Sequence, residues 1–528
     1  MSAGANTFDV VIEGGTVLDG TGAAPEVADV GIEGDRIAFV GKNLGKAEAR
    51  VRIDATGRVV CPGFIDVHSH SDVYLLIEPS APSKITQGVT TEVVGNCGAS
   101  AAPLRGAYRL PSDWRNKPIP GTWSSVAEYR ALLEQAQPAV NVALLIGHNT
   151  LRAGVAGYDD RPVTTAEFDE MCDLLDRSLA EGAMGLSTGL LYSPGIFASR
   201  EEITGLARVV ASRHGIYTTH MRSESSRLVE AIQETLSIAR SANCRAEISH
   251  LKTSGRGNWH LLEPALEAIR KARADGLEVA ADRYPYTAAG TELDVIFPAW
   301  AAAGGQARVL ARLHSAEERA RLRADLLQGR DESYWGTICI GSTTHPDNLR
   351  FKGMPLPDVA RELAMEPVDA VLHLAEMDEL KTGAFFFGMS EDNMRAILSE
   401  PYVMLGSDAS LRAPTGPLSM EHPHPRAYGS FPRFLRMALD GQALPLPEAI
   451  RKMTSLAADH FRLRDRGRIA RNMFADLVVF DPARIRDRAT YGNPHQFAEG
   501  IETVLVNGKL ALSPGNAPAQ RAGRFLAG

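Results

Sequence analysis

Eight short apolar runs mark the middle of the chain: "GFIDVHSH", "VTTEVVGNCG", "NVALLIGH", "GAMGLSTG", "GIYTTHM", "CRAEISHLK", "LEVAADRYPY" and "YVMLGSD". Between several of them lie longer stretches with apolar residues at helical spacing, such as "TTAEFDEMCDLLDRSLAEG" and "SRLVEAIQETLSIARS". Strand–helix alternation repeated eight times predicts an α/β fold, a (β/α)8 TIM-type barrel. The gap between the seventh and eighth runs, from about Thr287 to Pro401, is unusually long. It predicts an insertion with helices of its own, "AEERARLRADLLQG" among them.

The two ends of the chain have another texture. "FDVVIEGGTVLDG", "ADVGIEGDRIAFVG" and "RVRIDATGRVV" are short alternating runs broken by Gly-Gly, Asp-Gly and Gly-Asp, and the pattern returns in "ADLVVFDP" and "GIETVLVNGKLAL". One small β-sandwich assembled from both termini is the prediction. The expected boundaries are 1–60 with 465–528 for the sandwich and 61–464 for the barrel, the insertion lying within about 288–400.

A length of 528 residues, 44% hydrophobic and 23% charged, accommodates a large barrel plus a smaller domain. The net charge of −8 and the lack of a long basic run argue against a nucleic-acid partner. No apolar run reaches the ~18 residues of a membrane span, and the N-terminus shows no basic region leading into an apolar core. Five cysteines, Cys61, Cys97, Cys172, Cys244 and Cys339, are scattered and odd in number, which fits a reducing compartment. A cytoplasmic protein with no membrane partner is expected.

Chemistry concentrates in the apolar runs. On a strand, residues two apart face one way, so His68 and His70 of "GFIDVHSHSD" point together with Asp66 in phase behind them. Two neighbouring imidazoles suggest a metal. Barrels of this type place their chemistry at the C-terminal ends of the strands. There the sequence offers His68 and His70 after strand one, Cys97 after strand two, His220 after five, His250 after six and Asp408 after eight. Cys97, between Asn96 and Gly98, is placed to act as a thiolate, and a Cys, His, His set leaves the open tetrahedral position a catalytic zinc needs. Cys172, Cys244 and Cys339 are read as structural, and His148, His345, His422 and His424 as structural or as supports behind the ligands.

These residues resemble the amidohydrolase superfamily, and within it the N-acyl-D-amino-acid deacylases. The resemblance runs from "VIEGGTVLDGTG" through "GFIDVHSHSD", "TTEVVGNCG", "STGLLYSPG", "HMRSE", "ISHLK", "DRYPYT", "GSDAS" and "HPRAYGSFPR" to "ADLVVFDP". Many relatives use a carbamylated lysine at the end of strand four, where this chain has "GLSTGLLY" and no lysine; the strand-two cysteine marks this branch. The resemblance implies a tight zinc on Cys97, His220 and His250, and a weaker second site framed by His68, His70, Cys97 and Asp408. It implies Tyr192 as oxyanion donor and Lys252, Tyr284 and Arg426 as the clamp for a substrate α-carboxylate. Asp408 is suited to take a proton from water and pass it to the leaving amine. Two departures bear on the clamp: Gly290 stands where some relatives carry a serine, and an extension of roughly eight residues separates Asp408 from Arg426.

The expected partner is therefore a small N-acyl amino acid. A cyclic amide, as in dihydroorotase-like or hydantoinase-like enzymes, is the alternative substrate, and the missing strand-four lysine argues against it. A non-catalytic barrel used for binding is the other alternative, against which all six metal-ligand positions are filled. After strand seven, "YPYTAAGTELDVIFPAWAAAGGQA" has no Lys or Arg between Arg283 and Arg308. Leu293, Ile296, Phe297 and Trp300 are expected to line an apolar pocket there, favouring neutral or hydrophobic D-amino acids over acidic ones.

Overall fold

A computed structural model describes residues 7–513 and 519–528, apart from 43, 45, 46, 109, 112, 113, 115 and 116. Residues 1–6 and 514–518, at the edges of the expected small domain, lie outside the described residues.

Eight parallel strands form the barrel in chain order: Phe64–Asp66, Val89–Val94, Asn141–Gly147, Gly185–Gly189, Ile216–His220, Arg245–Ile248, Val279–Arg283 and Val403–Leu405. Nearly every residue in them is buried on both faces, as a parallel sheet wrapped by helices requires. The helices start where the sequence supplies caps. Thr164 accepts the amide of Glu167, whose carboxylate accepts the amide of Thr164, and helix Thr165–Ala180 follows. A cap of this kind contributes about 1 kcal/mol.

The seam between the first and eighth strands is closed differently from the other seven. Beyond both strand ends, a single bridge joins Ser69 to Ala409, and the amide of Asp408 donates to the carbonyl of His68 at 2.8 Å. Behind it sits Lys84, fully buried, its ammonium 2.8 Å from Asp66 and 3.0 Å from Glu92. The same ammonium donates to the Ser407 hydroxyl at 3.1 Å and the Ala409 carbonyl at 2.9 Å. One lysine thus ties together the ends of the first, second and eighth strands.

The terminal strands form one continuous mixed sheet. Its order is Lys509–Leu512, Ile501–Val506, Leu477–Phe480, Val59–Pro62, Thr7–Val17, Glu26–Glu33, Arg36–Gly41, with Glu48–Asp54 beside Thr7–Val17. A register shift between Ile12 and Gly15 lets the long strand pair with Glu48–Asp54 over its first half and with Val59–Pro62 at its end. Strands from both termini share one apolar core, Val10, Val30, Leu477 and Leu505 among its members.

Between the seventh and eighth barrel strands, Ala288–Glu292, Ile338–Ile340 and Gly383–Phe387 make a three-stranded antiparallel sheet with Gly383–Phe387 in the middle. Helices Gly305–His314, Ala316–Leu327 and Pro367–Met377 lie with it around a separate core that includes Phe351, Trp335 and Val371. Strand Ala288–Glu292 borders the barrel mouth. No helix among the described residues is long and apolar enough to cross a membrane.

Candidate metal centre and active site

The first barrel strand ends at Asp66, so His68 and His70 lie in the bend and bridge region just past it, not within the strand. They still converge, their rings 5.3 Å apart. His68 Nε2 is 3.2 Å from Cys97 Sγ and 3.5 Å from Asp408 Oδ1, and His70 Nε2 is 3.2 Å from the same Asp408 oxygen. Cys97 Sγ lies 3.4 Å from His250 Nε2 on the other side. Ligand atoms of His68, Cys97, His250 and Asp408 all fall within 4.8 Å of one another. The His220 ring stands 4.5 Å from that of His250 and 4.9 Å from that of Tyr192. Neither nitrogen of buried His220 is hydrogen-bonded among the described residues.

Three of these residues sit on strained backbone. Cys97 has φ +52°, His250 +38° and Asp408 +49°, a region costing an L-residue about 1–3 kcal/mol. Each lies just beyond its strand, where the chain must turn its side chain into the mouth. Gly98 continues the first turn at φ +80°, and a Cβ there would lie 2.4 Å from Asn149 Oδ1.

The charges are organised around the thiol. Burial disfavours a thiolate, yet the His68 and His250 imidazoles outweigh it and hold Cys97 well below the usual thiol range. Burial likewise opposes an ionised Asp408, and Arg426 followed by His250 brings its carboxyl well below the ordinary value. A thiolate, imidazoles whose ring nitrogens face it, a carboxylate and a buried His220 with no hydrogen bond among the described residues make a donor set that fits zinc.

The other predicted residues gather round this floor. Tyr192 Oη is 3.3 Å from Thr291 Oγ1, so the insertion strand reaches over the mouth. Tyr284 is buried, and its hydroxyl has no hydrogen-bond partner among the described residues. Arg426 is committed on two sides, Nη1 to Asp408 Oδ2 at 2.7 Å and Nη2 to the Gly290 carbonyl at 3.0 Å, leaving Nε. Lys252 pairs with Glu224 and faces His250 Nδ1. All of these except His68 line one cavity of about 1460 Å³ above the Cys97–His250 cluster.

Sequence reasoning passed over several residues that hold this site. Asp282 Oδ2 lies 3.0 Å from His68 Nδ1, fixing the ring from behind. Glu224 Oε1 lies 2.8 Å from His250 Nδ1. Both carboxylates sit in stretches already singled out, "DRYPYT" and "HMRSE", where their offsets from the histidines were the available signal. The apolar loop needs a correction. Leu293 and Phe297 are buried in the insertion core and Trp300 packs against it, its indole N–H donating to Asp325, so of the four only Ile296 lines the cavity. A core of its own gave those side chains somewhere drier to go.

An amidohydrolase family model matches residues 52–511. The D-aminoacylase of Alcaligenes xylosoxydans xylosoxydans is 38% identical over 522 residues, 98% of each chain. The N-acyl-D-glutamate deacylase of the same organism is also 38% identical, over 98% of this chain and 96% of its own. Among solved structures, N-acyl-D-glutamate deacylase from Bordetella bronchiseptica, complexed with zinc and a phosphonate mimic of the tetrahedral intermediate, superposes with a TM-score of 0.84. It is 35% identical, covering 99% of this chain and 100% of that one. With likeness over its full length and the strand-end ligand pattern in place, the chain belongs to the D-aminoacylase family of the amidohydrolase superfamily.

Proposed function

We propose that the protein hydrolyses the amide bond of N-acyl-D-amino acids, releasing a carboxylate and a free D-amino acid, with zinc held tightly by Cys97, His220 and His250. A weaker second position falls among His68, His70, Cys97 and Asp408. The observation that carries this reading is the meeting of the Cys97 thiol with His68, His250 and Asp408 on the floor of a cavity. A metal-ligating thiolate there does the work that a strand-four lysine does elsewhere. The D preference rests on the relatives.

Zinc in such a set supplies Lewis acidity toward water and a carbonyl oxygen. Asp408, kept ionised beside Arg426, accepts a proton from the attacking water and delivers it to the departing nitrogen. Tyr192, on the opposite wall, donates to the carbonyl oxygen as negative charge develops there. Tyr284, Lys252 and the free Nε of Arg426 face the α-carboxylate. Arg426 therefore serves twice, holding Asp408 and completing the clamp.

A neutral or hydrophobic amino-acid side chain is the substrate feature we favour. Ile296, Phe385, Phe386 and Met389 give the cavity apolar wall. Cations of the insertion also line it: Lys381 pairs with Glu379, while Arg330 donates to the carbonyls of Leu326 and Ile296 and Lys352 to that of Met420. Burying a leucyl side chain contributes roughly 1.5–3 kcal/mol, tenfold or more in kcat/KM. The deciding measurement is kcat/KM for N-acetyl-D-leucine against N-acetyl-D-glutamate, with the L-enantiomers alongside. Tenfold preference for D-leucine is expected. A preference for glutamate would overturn the side-chain assignment, and turnover of no N-acyl-D-amino acid, the aspartate derivative included, would overturn the deacylase reading.

A further inference from the structure

Lys252 stands where it threatens a metal ligand. Its ammonium lies 2.8 Å from His250 Nδ1, and the opposite ring nitrogen, Nε2, is the one facing Cys97 at 3.4 Å. Both side chains are buried, 3% and 2% exposed. A neutral imidazole carries one N–H, and its other nitrogen is the acceptor. An ammonium donating to Nδ1 would therefore move the ring proton to Nε2 and remove the lone pair that zinc needs.

Glu224 lies against both groups. Its Oε1 is 2.8 Å from His250 Nδ1 and also contacts the Lys252 ammonium, while Oε2 is 3.8 Å from His220 Nε2. An ionised carboxylate only accepts. It can take the lysine's proton donor and an Nδ1–H together, which leaves Nε2 unprotonated and aimed at Cys97. Position matters too: four residues after His220, Glu224 hangs from the loop after the fifth strand and reaches the loop after the sixth.

We propose that Glu224 is a positioning residue that keeps His250 in the Nδ1–H tautomer by engaging the ammonium of Lys252, so that a substrate-binding lysine and a zinc-binding histidine can coexist side by side. Ligand atoms of Glu224, His220 and His250 also fall within 4.8 Å of one another, and loss of a direct ligand, unlike loss of a positioning residue, would not be recovered in the double variant below. The inference rests on the zinc assignment above but not on the substrate.

Zinc affinity of the metal-free full chain, measured by competition with a chromophoric chelator, tests it in four proteins: wild type, Glu224→Leu, Lys252→Met and the double variant. Glu224→Leu should weaken zinc about 10–100-fold, the range for removing a ligand's outer partner. Lys252→Met should bind zinc as tightly as wild type or more tightly. The double variant, with the competing donor gone and one apolar pair replacing an ion pair, should recover most of the loss while KM stays raised. Wild-type affinity in Glu224→Leu would overturn the proposal, as would a double variant no better than Glu224→Leu. If Glu224→Leu does not fold, Lys252→Met still decides, since a tenfold loss of zinc there contradicts the role given to the lysine. Failure of the deacylase reading would show separately, as wild-type zinc binding without turnover of any N-acyl-D-amino acid.

Discussion

Asp408 bears two demands at one position, a left-handed backbone and an ionised carboxylate held by Arg426. Asparagine adopts the same backbone readily, so Asp408→Asn removes the proton chemistry and the charge facing Arg426 without straining the turn. Zinc at the tight site should be retained while kcat falls by about 10²–10⁴; an effect confined to KM would show that Asp408 binds substrate instead. Cys97 is the contrasting case. Cys97→Ala should lose tight zinc and activity together, because the thiolate is both ligand and countercharge. Elemental analysis after dialysis reads this directly. At this scale the ligand-type residues were legible because strand ends in a barrel advertise them. Glu224 carried a local signal, four residues after His220 in "HMRSE", whereas Asp282 did not, because its partner His68 lies 214 positions away across the barrel.

Elements respond to conditions through what they bury. The helix Ser455–His460 places His460 against the carbonyl of Ala246, with its Nε2 3.0 Å away. Burial, reinforced by the charge of Arg245, lowers the imidazole from 6.5 to about 3. Its folded value lies below its unfolded one, so the unfolded state binds more protons between them. This group therefore removes stability as pH falls from about 6.5 toward 3 and has no effect above that window. His460→Gln, which retains a donor for the Ala246 carbonyl, should flatten that decline when urea unfolding is compared at pH 7 and pH 4.5. The insertion offers a second test. Phe351 is fully buried in its core, so Phe351→Ala should cost about 3–5 kcal/mol locally. Because this element supplies Gly290, Thr291 and Phe385 to the cavity wall, KM should rise while bound zinc is retained. Apolar runs revealed the barrel strands and the existence of the insertion. They could not say that Leu293 and Phe297 belong to the insertion core, because an apolar residue between two possible cores carries no address.

For the molecule as a whole, the seam closed by Lys84 fixes when the fold can be completed. Lys84 and Ser407 are 323 positions apart, and Val59–Pro62 pairs with Leu477–Phe480 from near the other end of the chain. Early segments of both the barrel and the mixed sheet thus wait for partners made last. On a ribosome the first seven strands emerge with one side of the first strand open, and the His68–Asp408 contacts cannot yet exist. Closure of such distant contacts is slow compared with local helix and strand pairing. A chain arrested before about residue 400 would hold Cys97, His68, His70, His220 and His250 without Asp408 opposite them, so tight zinc binding should precede hydrolytic competence during synthesis or refolding.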